Sequence, residues 1–258
     1  GQALTELLVA FPVYRSYLPT GAEYLAEAID TARSARPELA GTIGTLVARL
    51  ADPADELCVR FQQLSGAVMA KGVEDTGYYR YTRFIALNEV GGDPARFGSD
   101  PDAFHEAQAL RQLVAPRGMT TLSTHDSKRG EDVRARLSVL SELSDEWSTC
   151  VRSLMAKARL PDASFAYLLW QTFVGAGLIE RDRMHGYAEK AMREASVSTT
   201  WIDPDATFEA TVHAVIDRAY DDASVREPLS SFISLITPYA APNSSSQQLV
   251  QLQMPGMP

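Results

Sequence analysis

Two dense clusters of chemically capable side chains stand out along the chain. In TTLSTHDSKRGED, Thr120 to Asp132, a short run of small and β-branched residues ends in the pair His125–Asp126, with Lys128, Arg129, Glu131 and Asp132 directly behind it. A solvated loop accounts for the charges but not for the apolar, strand-like lead-in. A strand ending in His-Asp delivers an imidazole and a carboxylate to one place, where the pair can hydrogen-bond a substrate or ligate a metal. Asp126 also has a plain structural use, as the N-cap of the helix that follows. In AVMAKGVEDTGYYRYTRFIALNEVGGDP, residues 67–94, the side chains Lys71, Glu74, Asp75, Tyr78, Tyr79, Arg80 and Tyr81 are packed closely together. One reading is an exposed charged turn before a half-buried aromatic element. The other is a carbohydrate subsite, with tyrosine faces covering the C–H surface of a sugar ring while Lys, Arg and carboxylates hydrogen-bond its hydroxyls in fixed directions.

The elements that must position these clusters read mostly as helices. Apolar residues recur at helical spacing over 4–10, 22–34, 54–64, 104–113, 132–141, 145–158, 164–175, 184–196 and 207–219. Thr20 or a neighbour is a candidate cap for the second of these, and Pro37, Gly41 and Pro53 mark turns. Residues 88–101 read as a loop, the run Asn243-Ser-Ser-Ser as an N-cap and loop, and 230–237 suit either element type. Alternation predicts a short strand at 11–17, and further strand-like pieces lie around Val68 and Leu122. Three isolated strands do not make a stable sheet. The chain is therefore either all-α with ornaments, or it holds strands of a sheet whose other members lie elsewhere.

Composition removes several function classes. The 258 residues carry a formal net charge of −9 and a sequence pI near 5.0, a surface that repels phosphate backbones. Nucleic acid is thus not an expected partner. Cys58 and Cys150 are far apart and have no C-x-x-C partner, which suits a reducing cytoplasm and argues against a disulfide framework or a cysteine-based zinc site. No apolar run approaches membrane-spanning length, and the first residues lack the features of a signal peptide.

Five stretches, FPVYRSYL, residues 67–94, STHDSKRGEDVRARL, REASVSTTWIDPD and NSSSQQLVQLQMPGMP, occur in this order. Together they resemble successive signatures of the maltooligosyl trehalose synthases, within the α-amylase family of glycoside hydrolases. The helical periodicities imply a mainly α fold, and the resemblance implies that it is a helical insertion region with a few short β-strands belonging to an interrupted (β/α)8 barrel that is incomplete in this chain. It divides the chain into a barrel-derived helix and strand (1–20), a helical insertion (21–115), a barrel strand carrying His-Asp with its following helix (116–140), a helical region (141–240) and a helix leading toward the last barrel strand (241–258). Asp126 would match the family's third catalytic carboxylate, at the C-terminal end of a barrel strand where such active sites lie. His125, Lys128, Arg129, Lys71, Glu74, Asp75, Tyr79 and Arg80 would bind substrate; Tyr14, Tyr17, Tyr79 and Trp201 are candidates for aromatic walls, and each suits a core position equally. The implied reaction is a retaining double displacement on a maltooligosaccharide, without metal or cofactor. The family's nucleophilic Asp and acid/base Glu precede the first matched motif, so the resemblance implies a middle segment with one of three carboxylates, inactive alone.

Two rivals come from other classes. Helical metal-dependent phosphohydrolases of the HD type use His and His-Asp ligands, and His105, His185 and His213 accompany His125–Asp126 here. Against this, His105 and His213 lie in ordinary amphipathic stretches, where a lone histidine is usually structural. The other rival is a non-catalytic carbohydrate-binding or interaction module.

Overall fold

The computed structural model describes all 258 residues. It is mainly helical and contains no named strand. The helices are α1 (Gln2–Val9), α2 (Ala22–Ala35), α3 (Ala40–Leu50), α4 (Glu56–Val68), the single turn α5 (Tyr78–Arg80), α6 (Pro101–Val114), α7 (Glu131–Ser138), α8 (Ser144–Lys157), α9 (Ala163–Ala176), α10 (Arg181–Ala195), α11 (Ala206–Asp221) and α12 (Ala223–Gln253). A nine-residue π-helix, Met69–Gly77, continues α4. No helix is long and apolar enough to cross a membrane. The chain divides into two compact units, Gly1–Gly77 and Tyr78–Pro258, with the boundary inside the 67–94 motif.

The first unit packs α1 to α4 around Leu7, Phe11, Leu25, Ile29, Ile43, Leu50 and Phe61. Phe11 meets Phe61 edge to face at 5.4 Å between ring centroids. Helix α4 starts at Asp55, whose side chain accepts from the Leu57 backbone N–H, an N-cap that satisfies one otherwise unpaired donor. The predicted strand at 11–17 does not form. Its neighbourhood is held by side chains of α4 instead: the Leu18 N–H donates to Gln62 Oε1 at 2.9 Å, and Ser65 Oγ donates to the Tyr14 carbonyl at 2.8 Å. A lone bridge pairs Tyr17 with Thr20. The N-cap of α2 is Gly21, the neighbour of Thr20, at φ +79° and with no side-chain cap. Gly41 lies inside α3 rather than in a turn. Around Val68 the expected strand is replaced by the end of α4 and the π-helix.

The second unit is built around α9, on which Phe165, Leu168, Leu169, Trp170, Phe173 and Val174 are all buried. Mean apolarity on every side of this helix makes it the centre of the core rather than a surface element. Met184, Met192, Val212, Ile216, Leu229, Phe232 and Ile236 close the core around it from α10, α11 and α12. The Asn243 run is another departure from expectation. It lies within α12, which continues from Ala223 to Gln253 despite Pro228, Pro238 and Pro242. Val225, Leu229, Phe232, Ile236 and Ala240 form one buried face along α12, and burying that stripe outweighs the donors the prolines lack.

The strand expected at 120–124 is also absent. Its backbone groups find other partners. Thr120 N–H donates to the Met257 carbonyl at 2.8 Å, Gln251 Nε2 donates to the Thr120 carbonyl at 3.0 Å, and the Leu122 carbonyl accepts from Arg134. One parallel bridge, Met119 to Met257, is all the pairing present.

Candidate functional site

His125 and Asp126 sit at the tip of a turn. The Thr124 N–H donates to Ser127 Oγ at 2.8 Å, and the Ser127 N–H returns to the Thr124 carbonyl at 3.2 Å. Both tip side chains project into solvent, 99% exposed for His125 and 73% for Asp126, and His125 Nδ1 lies 3.3 Å from Asp126 Oδ1. The capping role open to Asp126 is excluded: α7 begins at Glu131 with Gly130 as N-cap and no side-chain cap.

The turn is fastened from behind. Ser123 Oγ donates to the Glu131 carboxylate and accepts from the Glu131 N–H at 3.0 Å. That hydroxyl, with the backbone N–H, holds the Glu131 carboxyl below its ordinary range. Arg134 is the second fastener. Its guanidinium donates to Glu89, to the Leu122 carbonyl and, at 3.1 Å, to the Arg129 carbonyl. Glu89 and Arg134 were not singled out from the sequence. The signal available was the placement of Arg134 one turn into the helix after the His-Asp motif.

The other suspected residues have varied settings. Arg129 is only 6% exposed; it donates to the Tyr187 hydroxyl at 3.1 Å and the Ile85 carbonyl at 3.4 Å, so its guanidinium serves the interior. Lys128, one residue earlier, is half-buried. Arg80 donates to the Ala195 carbonyl at 2.5 Å and the Ser196 carbonyl at 3.0 Å, satisfying the carbonyl end of α10. Tyr79 is buried in the core of the second unit. Trp201 is 55% exposed, six residues past α10, with Arg193 stacked at 5.1 Å from its ring. Arg193 is in turn gripped by Glu209, which accepts from both Arg193 Nε and Thr199 Oγ1; these bonds bring the Glu209 carboxyl down to about 2.

In the first unit, Lys71 pairs with Asp75 along the π-helix while Glu74 is buried. This wide helix places the Lys71, Glu74 and Asp75 cluster on one irregular turn, a form of backbone frequent at functional sites. Tyr14 is half-buried; Tyr17 is exposed, with Arg15 at 4.8 Å over its ring. Tyr14, Tyr17 and the Lys71–Asp75 turn thus lie in one unit, and His125, Asp126, Arg80 and Trp201 in the other.

The histidines raised by the phosphohydrolase reading are not gathered. No group of three or more His, Cys, Asp or Glu is placed to hold a metal ion. His105 is exposed on α6, and His185 Nδ1 meets His213 Nδ1 at 2.7 Å while its Nε2 faces Asp217 at 3.1 Å, a clasp between α10 and α11.

No family model matches the chain. A curated Mycobacterium tuberculosis protein, provisionally described as a maltooligosyl trehalose synthase, is 41% identical over 266 aligned positions, covering 99% of this chain and 34% of that protein. The solved maltooligosyltrehalose synthase of Arthrobacter ramosus superposes with a TM-score of 0.97 at 43% identity, over 100% of this chain and 34% of that one. A Sulfolobus tokodaii structure described as a hypothetical maltooligosyl trehalose synthase gives 0.82 at 29% identity, over 99% and 35%. The chain spans about a third of the length of the relatives it matches. Along its whole length the chain is similar to the maltooligosyl trehalose synthases.

Proposed function

We propose that this chain supplies the transition-state-binding carboxylate and part of the substrate wall of a maltooligosyl trehalose synthase. Such an enzyme converts the reducing-end α-1,4 link of a maltooligosaccharide to α-1,1 by intramolecular transglycosylation. The observation that carries the reading is the exposed His125–Asp126 tip on a turn clamped by Ser123, Glu131 and Arg134, in a chain so close to these synthases. A carboxylate held out rigidly and free of capping duty can grip ring hydroxyls more tightly in the oxocarbenium-like state than in the ground state.

In this scheme a nucleophilic Asp and an acid/base Glu outside the chain carry the double displacement. The acceptor is the anomeric hydroxyl of the glucose just released, turned over in the pocket, so water must be excluded while the intermediate lasts. Lys71, Glu74 and Asp75 on the π-helix of the first unit would bind hydroxyls, as would Lys128 in the second. Tyr14 and Tyr17 in the first unit, and Trp201 in the second, would each offer an aromatic face to a sugar, and Arg80 and Arg129 would position backbone of the second unit. The parallel Met119–Met257 bridge supports placing 116–124 and the last residues beside each other in a (β/α)8 barrel. The substrate is a cytoplasmic maltooligosaccharide, and no cofactor enters the chemistry.

The test is Asp126→Asn in a full-length synthase containing this segment, with maltopentaose as substrate. A kcat lower by several orders of magnitude is expected; near-normal kcat would remove Asp126 from the catalytic set. The 258-residue chain alone, holding one of three required carboxylates, is expected to show no turnover.

A further inference from the structure

The second unit also holds a cleft of about 630 Å³ that the chemistry above does not use. That is within the roughly 300–1,000 Å³ typical of small-molecule sites. Its walls are aromatic. Phe84 and Phe97 stack at 5.9 Å with an interplanar angle of 25°, and Trp147 and Tyr167 pack at 6.0 Å. Tyr81 completes the aromatic set. Phe97 is 67% exposed, a large ring left in water on the loop between the 67–94 motif and α6. An exposed ring lining a concavity is a ready stacking surface.

The polar groups of the cleft are few and directional. The Tyr167 hydroxyl accepts from Trp147 Nε1 at 3.0 Å, leaving its own proton for another acceptor. Ser144 and Ser148 stand one turn apart on α8 and line the same cleft. Arg83 is exposed and forms no ion pair there. No carboxylate lines the space. Flat apolar faces bordered by hydroxyls and one guanidinium match a ligand with C–H faces and a rim of hydroxyls. The protein's net charge of −9 disfavours an anion.

We propose that this cleft is a second, non-catalytic α-glucan site, which holds a maltosyl segment against Phe84, Phe97 and Trp147. The choice of an α-glucan rather than another sugar rests on the synthase reading; the cleft itself shares no lining residue with the His125–Asp126 turn.

Isothermal titration calorimetry of the 258-residue chain with maltotetraose tests it. Saturable binding is expected. Phe97→Ala should weaken it at least tenfold, and Ser148→Trp, which fills the cleft, should abolish it. Asp126→Asn should leave it unchanged. Helical circular dichroism recorded on each variant separates lost binding from lost fold, and two variants of opposite steric sense guard against one failing to fold. Absent binding, or binding that survives both cleft substitutions, overturns the proposal. So does occupancy of the cleft by an apolar peptide that maltotetraose cannot displace. Binding lost in Asp126→Asn but kept in Phe97→Ala would also overturn it while leaving the synthase reading intact. Normal kcat in the full-length Asp126→Asn enzyme, with cleft binding retained, would remove Asp126 from the catalytic set and leave the cleft proposal standing.

Discussion

Helix α9 and the segment 120–134 belong to the same unit and are held by opposite means. Ten of the fourteen residues of α9 are buried. Even its buried amide, Gln171, is used: it donates to the Thr82 carbonyl at 2.8 Å and accepts from the Ile85 N–H at 3.0 Å. Along 120–134 only Arg129 is buried, and the shape is kept by hydrogen bonds from Ser123, Ser127, Glu131 and Arg134. A core element is over-determined, because many contacts each contribute a little. A presenting turn depends on a few polar clamps, which leave its tip free to meet a ligand.

That contrast predicts that function and stability separate by position. The largest effect should be on rate. On the role proposed for it, Asp126→Asn in a full-length synthase containing this segment should cut kcat by several orders of magnitude, each factor of ten being about 1.4 kcal/mol of lost transition-state stabilisation. Its melting temperature should barely move, since the side chain is exposed and caps nothing. A large drop in melting temperature would merge the two regions that the structure separates.

Phe173→Ala should do the reverse. Removing a fully buried ring of α9 should cost about 3–5 kcal/mol in urea unfolding of the second unit. A loss under 1 kcal/mol would mean that α9 is not the centre of the core.

Arg134→Met should fall between these. It strands the Glu89 carboxylate and the Leu122 carbonyl, at a cost of roughly 1–3 kcal/mol for groups shielded from water. Hydrogen exchange should quicken over 122–127 and stay slow in α9. Uniformly faster exchange would show that the turn and the core open together.

The pH prediction is gentler. Glu209 has its folded pKa lowered to about 2 from 4.5, chiefly by its bonds to Arg193. A depressed carboxyl contributes stability that is complete above the unfolded value and is lost as pH falls from about 4.5 toward 2. Glu209→Gln should therefore reduce melting temperature at neutral pH and converge with the parent near pH 2. Since Arg193 also supports Trp201, a parallel acid transition in Trp201 fluorescence is expected. Curves that stay equally separated at all pH values would rule out this carboxylate as the source.

The smallest effect should come from Asp55→Ala, which removes the N-cap of α4 and should cost about 1 kcal/mol of first-unit stability. No change on thermal unfolding would show that the start of α4 is held by packing rather than by its cap.

The sequence alone determined most of the helices, the mainly α class and the motifs that resemble the synthases. Periodicity places α2, α8, α9, α10 and α11 within a few residues of their observed ends, because a buried stripe at 3.6-residue spacing is a local signal. The order of the motifs led to the same family as the comparisons. Only tertiary structure decided the rest. Alternation at 11–17 and the apolar lead-in at 120–124 look like strands, but their backbone partners are Gln62, Ser65, Gln251 and Arg134, side chains remote in sequence. The run at Asn243 looks like a loop, yet it continues α12 one turn past the buried Ala240, where Asn243 Nδ2 donates to the Ala135 carbonyl and to Ser138 Oγ. Arg129 and Asp126 stand three residues apart in one charged motif, and nothing local tells them apart. The fold buries the first against Tyr187 and Ile85 and leaves the second in solvent, because burial and hydrogen-bond partners are set by contacts between distant segments.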